Sequence, residues 1–138
     1  MANKRRLLVV DDEPMIRELM EDALTGPAWE ITTASDALDA LTKARALRPF
    51  FIITDIQMPS YGKGTDMIRA LRLEKAIAAT PIIVLTGMEP ERARKLLPPN
   101  DARVHLLIKP PDFSRILAII KEMTGMDKDS SPDAVSSF

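Results

Sequence analysis

Five short strand-like segments, most of them apolar runs, alternate with segments of helical periodicity, and this alternation restricts the fold of the chain more than any other feature. Apolar runs without polar alternation are typical of strands that are covered on both faces of a sheet. Parallel strands need long crossovers, and a helix after each run supplies one. We therefore predict a doubly wound α/β fold, with a five-stranded parallel sheet as the middle layer of a three-layer α/β/α arrangement. The strand-like segments are residues 7–10, "WEITTA" (29–34), which has β-forming residues, "FFIIT" (50–54), "PIIVL" (81–85) and "RVHLLI" (103–108).

Apolar spacing predicts the helices between these strands. Ser35 can cap the second helix, and the third is expected over residues 65–76. A short fourth helix over residues 89–97 is stopped by Pro98 and Pro99. The side chains expected to face the core are Ile16, Leu19, Met20, Ala23 and Leu24 in the first helix, Leu38, Leu41 and Leu47 in the second, Met67, Ile68 and Leu71 in the third, and Phe113, Ile116, Leu117 and Ile120 in the fifth.

Length and composition fit a single domain. The 138 residues are 46% hydrophobic and 28% charged, which is ordinary for one globular core. We assign residues 1–124 to this domain and expect the polar, aperiodic segment 125–138 to be a disordered tail. The formal net charge of −1 predicts no strong attraction to nucleic acid or to a membrane. The chain has no cysteine and no stretch typical of a membrane span or signal peptide, so we expect a cytoplasmic protein without membrane insertion.

Polar or charged side chains follow four of the five predicted strands. Asp11 and Asp12 follow the first strand and Asp55 the third, while Thr86 and Lys109 follow the fourth and fifth. The carboxyl ends of parallel strands meet at one edge of the sheet, which is where such folds bind ligands. We therefore expect these five side chains to converge and to form the functional site.

Three converging carboxylates predict a cation site. If the charges lie about 5 Å apart at an effective dielectric near 20, each pair repels by roughly 3 kcal/mol, and a divalent cation removes this cost. Oxygen ligands in an open site favour Mg²⁺, with Mn²⁺ as a second choice, and Lys109 and Thr86 could then bind phosphate. Helix capping is the alternative, since Asp11 or Asp12 could accept backbone N–H bonds while Pro14 begins the next helix.

Four motifs carry a resemblance to a known family. In this order and spacing, "VVDDEP", "TDIQMP", "IIVLTG" and "LLIKP" resemble the signatures of bacterial two-component response-regulator receiver domains, over roughly residues 5–124. The resemblance implies a flavodoxin-like receiver fold with the strand order 2-1-3-4-5. It also implies that the site works in phosphoryl transfer.

The resemblance implies a role for each site residue. Asp55 resembles the phosphoacceptor, Asp12 and Asp55 direct metal ligands, and Asp11 a ligand that acts mostly through water. The backbone carbonyl of Gln57 would complete the metal site. Thr86 resembles the switch hydroxyl, and Lys109 resembles the phosphate-binding lysine, which in the family is often followed by a cis bond to proline, here Lys109–Pro110.

The implied function is that of a single-domain response regulator. Asp55 would take a phosphoryl group from a histidine kinase or a histidine phosphotransfer protein, with Mg²⁺ as the cofactor, and the phosphate would later hydrolyse in place. Such a protein is a signalling phosphoacceptor and not an enzyme that acts on a metabolite. It would signal by contact with a downstream protein or by onward transfer, without binding DNA directly. The sequence names neither the cognate kinase nor the target.

Three other functions can be weighed against the same site residues. The main alternative is a receiver-like interaction module that works independently of phosphorylation. Phosphatases of the haloacid-dehalogenase type have the motif D-x-D, whereas the corresponding "DIQ" of this chain has Gln57 in place of the second carboxylate. A flavin or dinucleotide module would need a phosphate-binding loop where this chain has "DDEP". Both of these classes are therefore disfavoured.

Three positions depart from the pattern that the family shows. Leu106 stands where the fifth strand of the family usually has Tyr or Phe, and Pro111 stands where an aromatic residue is common. The loop "SYGKG" (60–64) reaches its glycine one residue late, which could displace the third helix. We therefore expect the chemistry of the family with a different coupling to the outer surface.

Overall fold

The computed structural model describes residues 5–57 and 64–130, in which five strands alternate with five helices. Within this part of the chain, none of the helices has the length and apolar character needed to cross a membrane. In chain order the elements are β1 Arg5–Val10, α1 Pro14–Leu24, β2 Trp29–Ala34, α2 Ala37–Leu47, β3 Phe51–Thr54, α3 Gly64–Leu73, β4 Ile82–Thr86, α4 Pro90–Leu96, β5 Val104–Ile108 and α5 Phe113–Thr124.

All five strands form one parallel sheet in the order β2-β1-β3-β4-β5. The strand order reverses at β1, because the chain passes first to β2 on one side and then crosses to β3 on the other. Val10 pairs with Thr54 across β1 and β3, so the residues that follow them lie side by side at the carboxyl edge. The predicted fold class and strand order are confirmed.

Helices cover both faces of the sheet. Leu8 and Val10 of β1 belong to a buried cluster with side chains of α2, α3 and α4. Leu7 and Val9, which point the opposite way, belong to a second cluster with side chains of α1 and α5. Because β1, β3 and β4 are buried on both faces, their sequences are apolar without alternation, as the prediction of a three-layer fold required.

The helix predictions are wrong at several particular residues. Asp36 caps α2 in place of Ser35, because its carboxylate accepts a hydrogen bond of 2.8 Å from the N–H three residues further on. Leu19 and Leu38 are 44% and 54% exposed, since each lies outside the buried stripe of its helix. The third helix ends at Leu73, earlier than the apolar spacing predicted, and turns follow it.

The prediction of a disordered tail from residue 125 onward is wrong as far as residue 130. Met126 is buried against the α1 and α5 cluster, and the carbonyl oxygen of Lys128 accepts a hydrogen bond of 3.1 Å from the N–H of Ala28. The prediction failed because it rested on the polar composition of this segment, which does not reveal the burial of one methionine or a backbone hydrogen bond. Residues 131–138, and most of the "SYGKG" loop, lie outside the described residues.

Candidate functional site

Asp11 and Asp55 lie side by side at the carboxyl edge of the sheet. The N–H of Asp11 donates to the carbonyl of Ala34 at 3.1 Å, and the N–H of Asp55 donates to the carbonyl of Val10 at 3.0 Å. These bonds continue the ladders of β1 with β2 and of β3 with β1 by one residue. The exposed fractions of Asp11 and Asp55 are only 2% and 4%, so the sheet fixes two almost buried acidic groups next to each other.

Asp12 adds a third carboxylate, which is exposed to solvent. One carboxylate oxygen from each of Asp11, Asp12 and Asp55 lies within 4.8 Å of the others. Carboxylates at this spacing repel one another, and two of them are shielded from water, so the arrangement favours binding of a cation. The convergence of these three residues was predicted from the strand ends.

Lys109 brings a positive charge into the same cluster. Its ammonium nitrogen lies 2.9 Å from Oδ2 of Asp55, 3.0 Å from Oδ2 of Asp11 and 3.8 Å from Oε1 of Glu13. The backbone N–H of Lys109 donates to the carbonyl of Thr86 at 2.8 Å, which ties the end of β5 to β4. The Lys109–Pro110 bond is cis, as the family resemblance implied.

The protonation of the cluster follows from burial and charge together. Burial raises the pKa of the Asp11 carboxyl above its ordinary value of 3.8, and the N–H of Glu13 and the ammonium of Lys109 offset this only in part. Burial by itself would lower the pKa of Lys109. Its hydrogen bonds with Asp55 and Asp11 outweigh burial, so the pKa of Lys109 lies above its ordinary value of 10.5. Lys109 is therefore a permanent cation at neutral pH.

Thr86 ends β4 with a completely buried side chain. Its hydroxyl donates to the side-chain oxygen of Gln57 at 3.3 Å and accepts from the N–H of Met88, also at 3.3 Å. The N–H of Gln57 donates to Oδ1 of Asp55 at 2.9 Å. Thr86 is thus linked to Asp55 through Gln57, although the role of the Gln57 carbonyl as a metal ligand stays a prediction.

Asp11 orders the turn before α1 but does not cap the helix, because the N-cap is Glu13 and makes no side-chain capping bond. Oδ1 of Asp11 accepts a hydrogen bond of 3.0 Å from the N–H of Glu13, the residue that precedes α1, and Pro14 is the first residue of that helix. The other oxygen of Asp11 faces Lys109. The same carboxylate therefore orders the turn before α1 and takes part in the cluster, whereas the prediction that Asp11 or Asp12 caps the helix is wrong.

Two residues of the site were not predicted from the sequence. Glu13 lies near Lys109, and Nη1 of Arg17 donates to the backbone carbonyl of Asp11 at 2.7 Å. Arg17 lies on α1 one helical turn after Glu13, and its backbone N–H donates to the Glu13 carbonyl at 3.2 Å. Charge complementarity with the acidic pair was the one signal in the sequence that could have drawn attention to Arg17.

Comparison with known proteins places these observations in a family. Residues 7–121 match the sequence profile of the family described as "Response regulator receiver domain". The chain is 37% identical over 83 residues to the probable transcriptional regulatory protein TcrX of Mycobacterium tuberculosis, which covers 60% of this chain and 34% of that protein. It is 35% identical over 84 residues to the DNA-binding response regulator MtrA of Mycolicibacterium smegmatis, which covers 61% of this chain and 35% of that protein. The chain thus matches about a third of the length of these relatives.

Solved structures agree with this match. The chemotaxis response regulator CheY4 of Vibrio cholerae superposes with a TM-score of 0.75 at 29% identity, covering 87% of this chain and 98% of that one. A putative response regulator from Chloroflexus aurantiacus superposes with a TM-score of 0.78, covering 90% of this chain and all of the other. The sequence identity between this second protein and the chain is 22%, so the comparison supports the fold alone.

Proposed function

The chain belongs to the response regulator receiver domain family, and we propose that it accepts a phosphoryl group on Asp55. The phosphoryl donor is a phosphohistidine, carried by a histidine kinase or a histidine phosphotransfer protein. Receiver domains act in two-component signalling, and we place this exchange in the cytoplasm. The reaction changes the state of the protein itself, so its product is a signal and not a released metabolite.

The contacts of the Asp55 carboxylate carry this proposal. Oδ2 of Asp55 lies 2.9 Å from the ammonium of Lys109, and Oδ1 accepts the N–H of Gln57 at 2.9 Å. Asp11 and Asp12 complete an acidic pocket around it. A structural ion pair would need one carboxylate, whereas this pocket holds three carboxylates against one lysine and therefore retains negative charge for a cation.

The donor set fits Mg²⁺. Three carboxylate oxygens within 4.8 Å of one another are hard ligands, and the exposure of Asp12 leaves the pocket open to water. In our proposal Asp12 and Asp55 would be direct ligands together with the backbone carbonyl of Gln57, and Asp11 would act through water. Mn²⁺ fits the same oxygens. When bound, the ion neutralises the charge of the carboxylates and of the transferring phosphoryl group.

The transfer needs positioning and charge neutralisation from this chain. A carboxylate oxygen of Asp55 attacks the phosphorus atom, the new P–O bond forms, and the P–N bond breaks with its electron pair leaving on the imidazole. Lys109 then pairs with a phosphoryl oxygen and stabilises its charge, because its raised pKa keeps it cationic. In the later hydrolysis, water attacks the same phosphorus atom and the Asp55 carboxylate leaves.

Thr86 connects phosphorylation to the rest of the fold. Its hydroxyl has one proton, which it donates to Gln57 in the structure described here. A phosphoryl oxygen on Asp55 is a stronger, charged acceptor at the same edge of the sheet. We propose that the hydroxyl turns toward it, and that a downstream partner recognises the resulting change.

A small phosphodonor tests the assignment of Asp55. Purified protein treated with acetyl phosphate and Mg²⁺ should gain the mass of one phosphoryl group, as measured by intact mass spectrometry. Asp55→Asn and omission of Mg²⁺ should each abolish the gain, whereas Asp66→Asn should leave it unchanged, because that exposed residue lies on α3 outside the acidic cluster.

Undiminished labelling of Asp55→Asn would contradict the proposal and identify another acceptor. No labelling of the wild-type protein, either by acetyl phosphate or by a panel of phosphorylated histidine kinases from its host, would favour the phosphorylation-independent interaction module. Asp12→Ala provides a further check, since it should weaken the binding of Mg²⁺ measured by isothermal titration. Equal affinity in both proteins would contradict the assignment of the metal ligands.

A further inference from the structure

Arg17 binds the backbone of the acidic pocket and not one of its carboxylates. Its Nη1 donates to the carbonyl oxygen of Asp11 at 2.7 Å, and the side chain is half-buried on α1. We propose that Arg17 is a positioning residue, which orients the peptide between Asp11 and Asp12 and thereby places the carboxylate of Asp12 for Mg²⁺. This inference rests on the proposed function, because it takes the acidic pocket to be the magnesium site.

The hydrogen bonds between β1 and its neighbouring strands end at Asp11. The carbonyl of Val10 accepts from Asp55, and the N–H of Asp11 donates to Ala34, which is the last ladder bond of β1. The side chain of Asp11 is held separately, by the N–H of Glu13 and by Lys109. The carbonyl of Asp11 is the first backbone group beyond the sheet, and Arg17 binds it.

Asp12 depends on this contact more than its neighbours do. Within residues 5–57 and 64–130, the Asp12 carboxylate makes no hydrogen bond or ion pair, and the residue is exposed. The peptide group is planar, so fixing the carbonyl oxygen of Asp11 also fixes the direction of the bond from its carbon to the nitrogen of Asp12. Arg17 therefore positions the one cluster carboxylate that no side-chain contact restrains.

Charge and positioning predict opposite effects of removing Arg17. A guanidinium beside the acidic pocket repels a cation, so loss of its charge alone would tighten the binding of Mg²⁺. Loss of a group that holds a metal ligand in place weakens metal binding, by about tenfold or more in characterised sites. The sign of the change in affinity therefore separates the two roles.

The test compares three variants of the full chain by isothermal titration with Mg²⁺ alone. Arg17→Met keeps the length of the side chain without its donor or charge, and should weaken binding by about tenfold. Arg17→Lys restores a donor and the charge, and should recover part of the affinity. Arg45→Met removes an equal charge from the last turn of α2, where Arg45 makes an exposed ion pair with Glu74, and should leave the affinity unchanged.

A second measurement needs no metal. In the presence of a chelator, the amide resonance of Asp12 should shift and its hydrogen exchange should accelerate in Arg17→Met, with little change in Arg45→Met. Unchanged or tighter Mg²⁺ binding in Arg17→Met, or an Asp12 amide that does not respond, would overturn the proposal. If Arg17→Met fails to fold, Arg17→Gln, which also lacks the charge, is held to the same two criteria. Since no phosphodonor is present, failure here is distinct from failure of Asp55 to be phosphorylated.

Discussion

The ammonium nitrogen of Lys109 lies 2.9 Å from Oδ2 of Asp55, and this contact joins the ends of two strands that are not neighbours in the sheet. The lysine reaches from the end of β5 across β4 to the end of β3. Its backbone N–H donates to the backbone carbonyl of Thr86 at the end of β4, so one main-chain hydrogen bond joins the two residues whose side chains we propose as the phosphate-binding cation and the switch hydroxyl.

Replacing Lys109 with Met should separate cation binding from phosphoryl transfer. A pair of unit charges a few ångströms apart is worth about 1 kcal/mol even in bulk water, so removing the repulsion between Lys109 and a divalent ion should tighten Mg²⁺ binding by about tenfold. Loss of a donor that stabilises transferring charge should slow phosphorylation by about 100-fold. Isothermal titration and the rate of labelling by acetyl phosphate measure the two effects.

Lys121→Met is the matched control, because Lys121 is an exposed lysine in the last turn of α5, away from the carboxyl edge of the sheet. Lys121→Met should change neither the affinity for Mg²⁺ nor the rate of phosphorylation. Weaker Mg²⁺ binding in Lys109→Met would mean that the lysine mainly holds the carboxylates in place. Together with Arg17→Met, this variant forms a pair in which the loss of one positive charge is expected to have opposite effects.

Asp101 provides a pH-dependent contribution to stability far from the site. Its carboxylate lies 2.8 Å from Nε of Arg72, and both side chains are 18% exposed. Burial by itself would raise the pKa of Asp101, but the hydrogen bonds from Arg72 and from the N–H of Arg103 outweigh it and hold that pKa below its ordinary value of 3.8. The folded state therefore favours the ionised form, and its stabilisation is present above pH 3.8 and is lost as the pH falls through the folded pKa.

Asp101→Asn should consequently lower the free energy of unfolding by about 2 kcal/mol near neutral pH, as expected for a hydrogen bond with a charged group. The difference from the wild type should shrink as the pH falls below 3.8, the ordinary pKa that applies to the unfolded chain, and be smallest below the lowered pKa of the folded carboxyl. Urea unfolding of the wild type and of Asp101→Asn, at neutral and at acidic pH, measures this difference in the free energy of unfolding. A difference that does not vary with pH would mean that shape and not charge makes the contact important.

Gly26 tests whether the segment after α5 is part of the folded domain. A Cβ atom at this position would lie 2.7 Å from the carbonyl carbon of Lys128, whereas a Cβ at Gly87 would meet nothing within 4 Å. Gly26→Ala should therefore displace the backbone that covers Met126, and lower the free energy of unfolding by about 1–3 kcal/mol. Gly87→Ala is the control for the change of residue type. Hydrogen exchange at the Ala28 amide should accelerate only in Gly26→Ala, and equal effects of the two substitutions would contradict this account.

The sequence was sufficient for the sheet and for the position of the acidic pocket. Apolar runs that lack alternation predict strands buried on both faces, and parallel strands necessarily bring their carboxyl ends to one edge. Asp11 and Asp12 follow the first of these runs, and Asp55 and Lys109 stand directly after two others. Their convergence therefore follows from the chain order and needs no knowledge of side-chain packing.

Other details depend on contacts that periodicity does not encode. Leu19 and Leu38 fit the apolar spacing of their helices, yet the spacing does not give the width of the buried stripe, and both are exposed. Met126 lies in a polar segment, so its burial depends on a backbone contact with the loop before β2. Arg17 contacts a backbone carbonyl oxygen, and because every residue has one, charge complementarity could point to Arg17 but not to this contact.

The contacts of Thr86, Met88 and Leu106 predict the route by which the proposed phosphorylation would change the surface. Leu106 pairs with Val84 inside the sheet and is half-buried against the α2 side of the core. Met88 packs against the same cluster, but its N–H also donates directly to the Thr86 hydroxyl at 3.3 Å. A ligand shifts a conformational equilibrium only through groups that interact differently in its two states. When the hydroxyl turns toward a phosphoryl group, the bond with Met88 changes, whereas Leu106 has no polar group and no large ring that could respond.

We therefore expect Mg²⁺ and beryllofluoride, which imitates the phosphoryl group, to shift the amide resonance of Met88 more than that of Leu106. Thr86→Val should abolish the Met88 shift, because it removes the hydroxyl and nearly preserves the shape of the side chain. Leu106→Ala should leave the shift in place and cost only about 1 kcal/mol of stability, since the side chain is half-buried. Heteronuclear correlation spectra of the three proteins make the comparison. Large shifts centred on Leu106 that disappear in Leu106→Ala, while those near Asp55 persist, would mean that the leucine performs the role of the aromatic residue usual in the family.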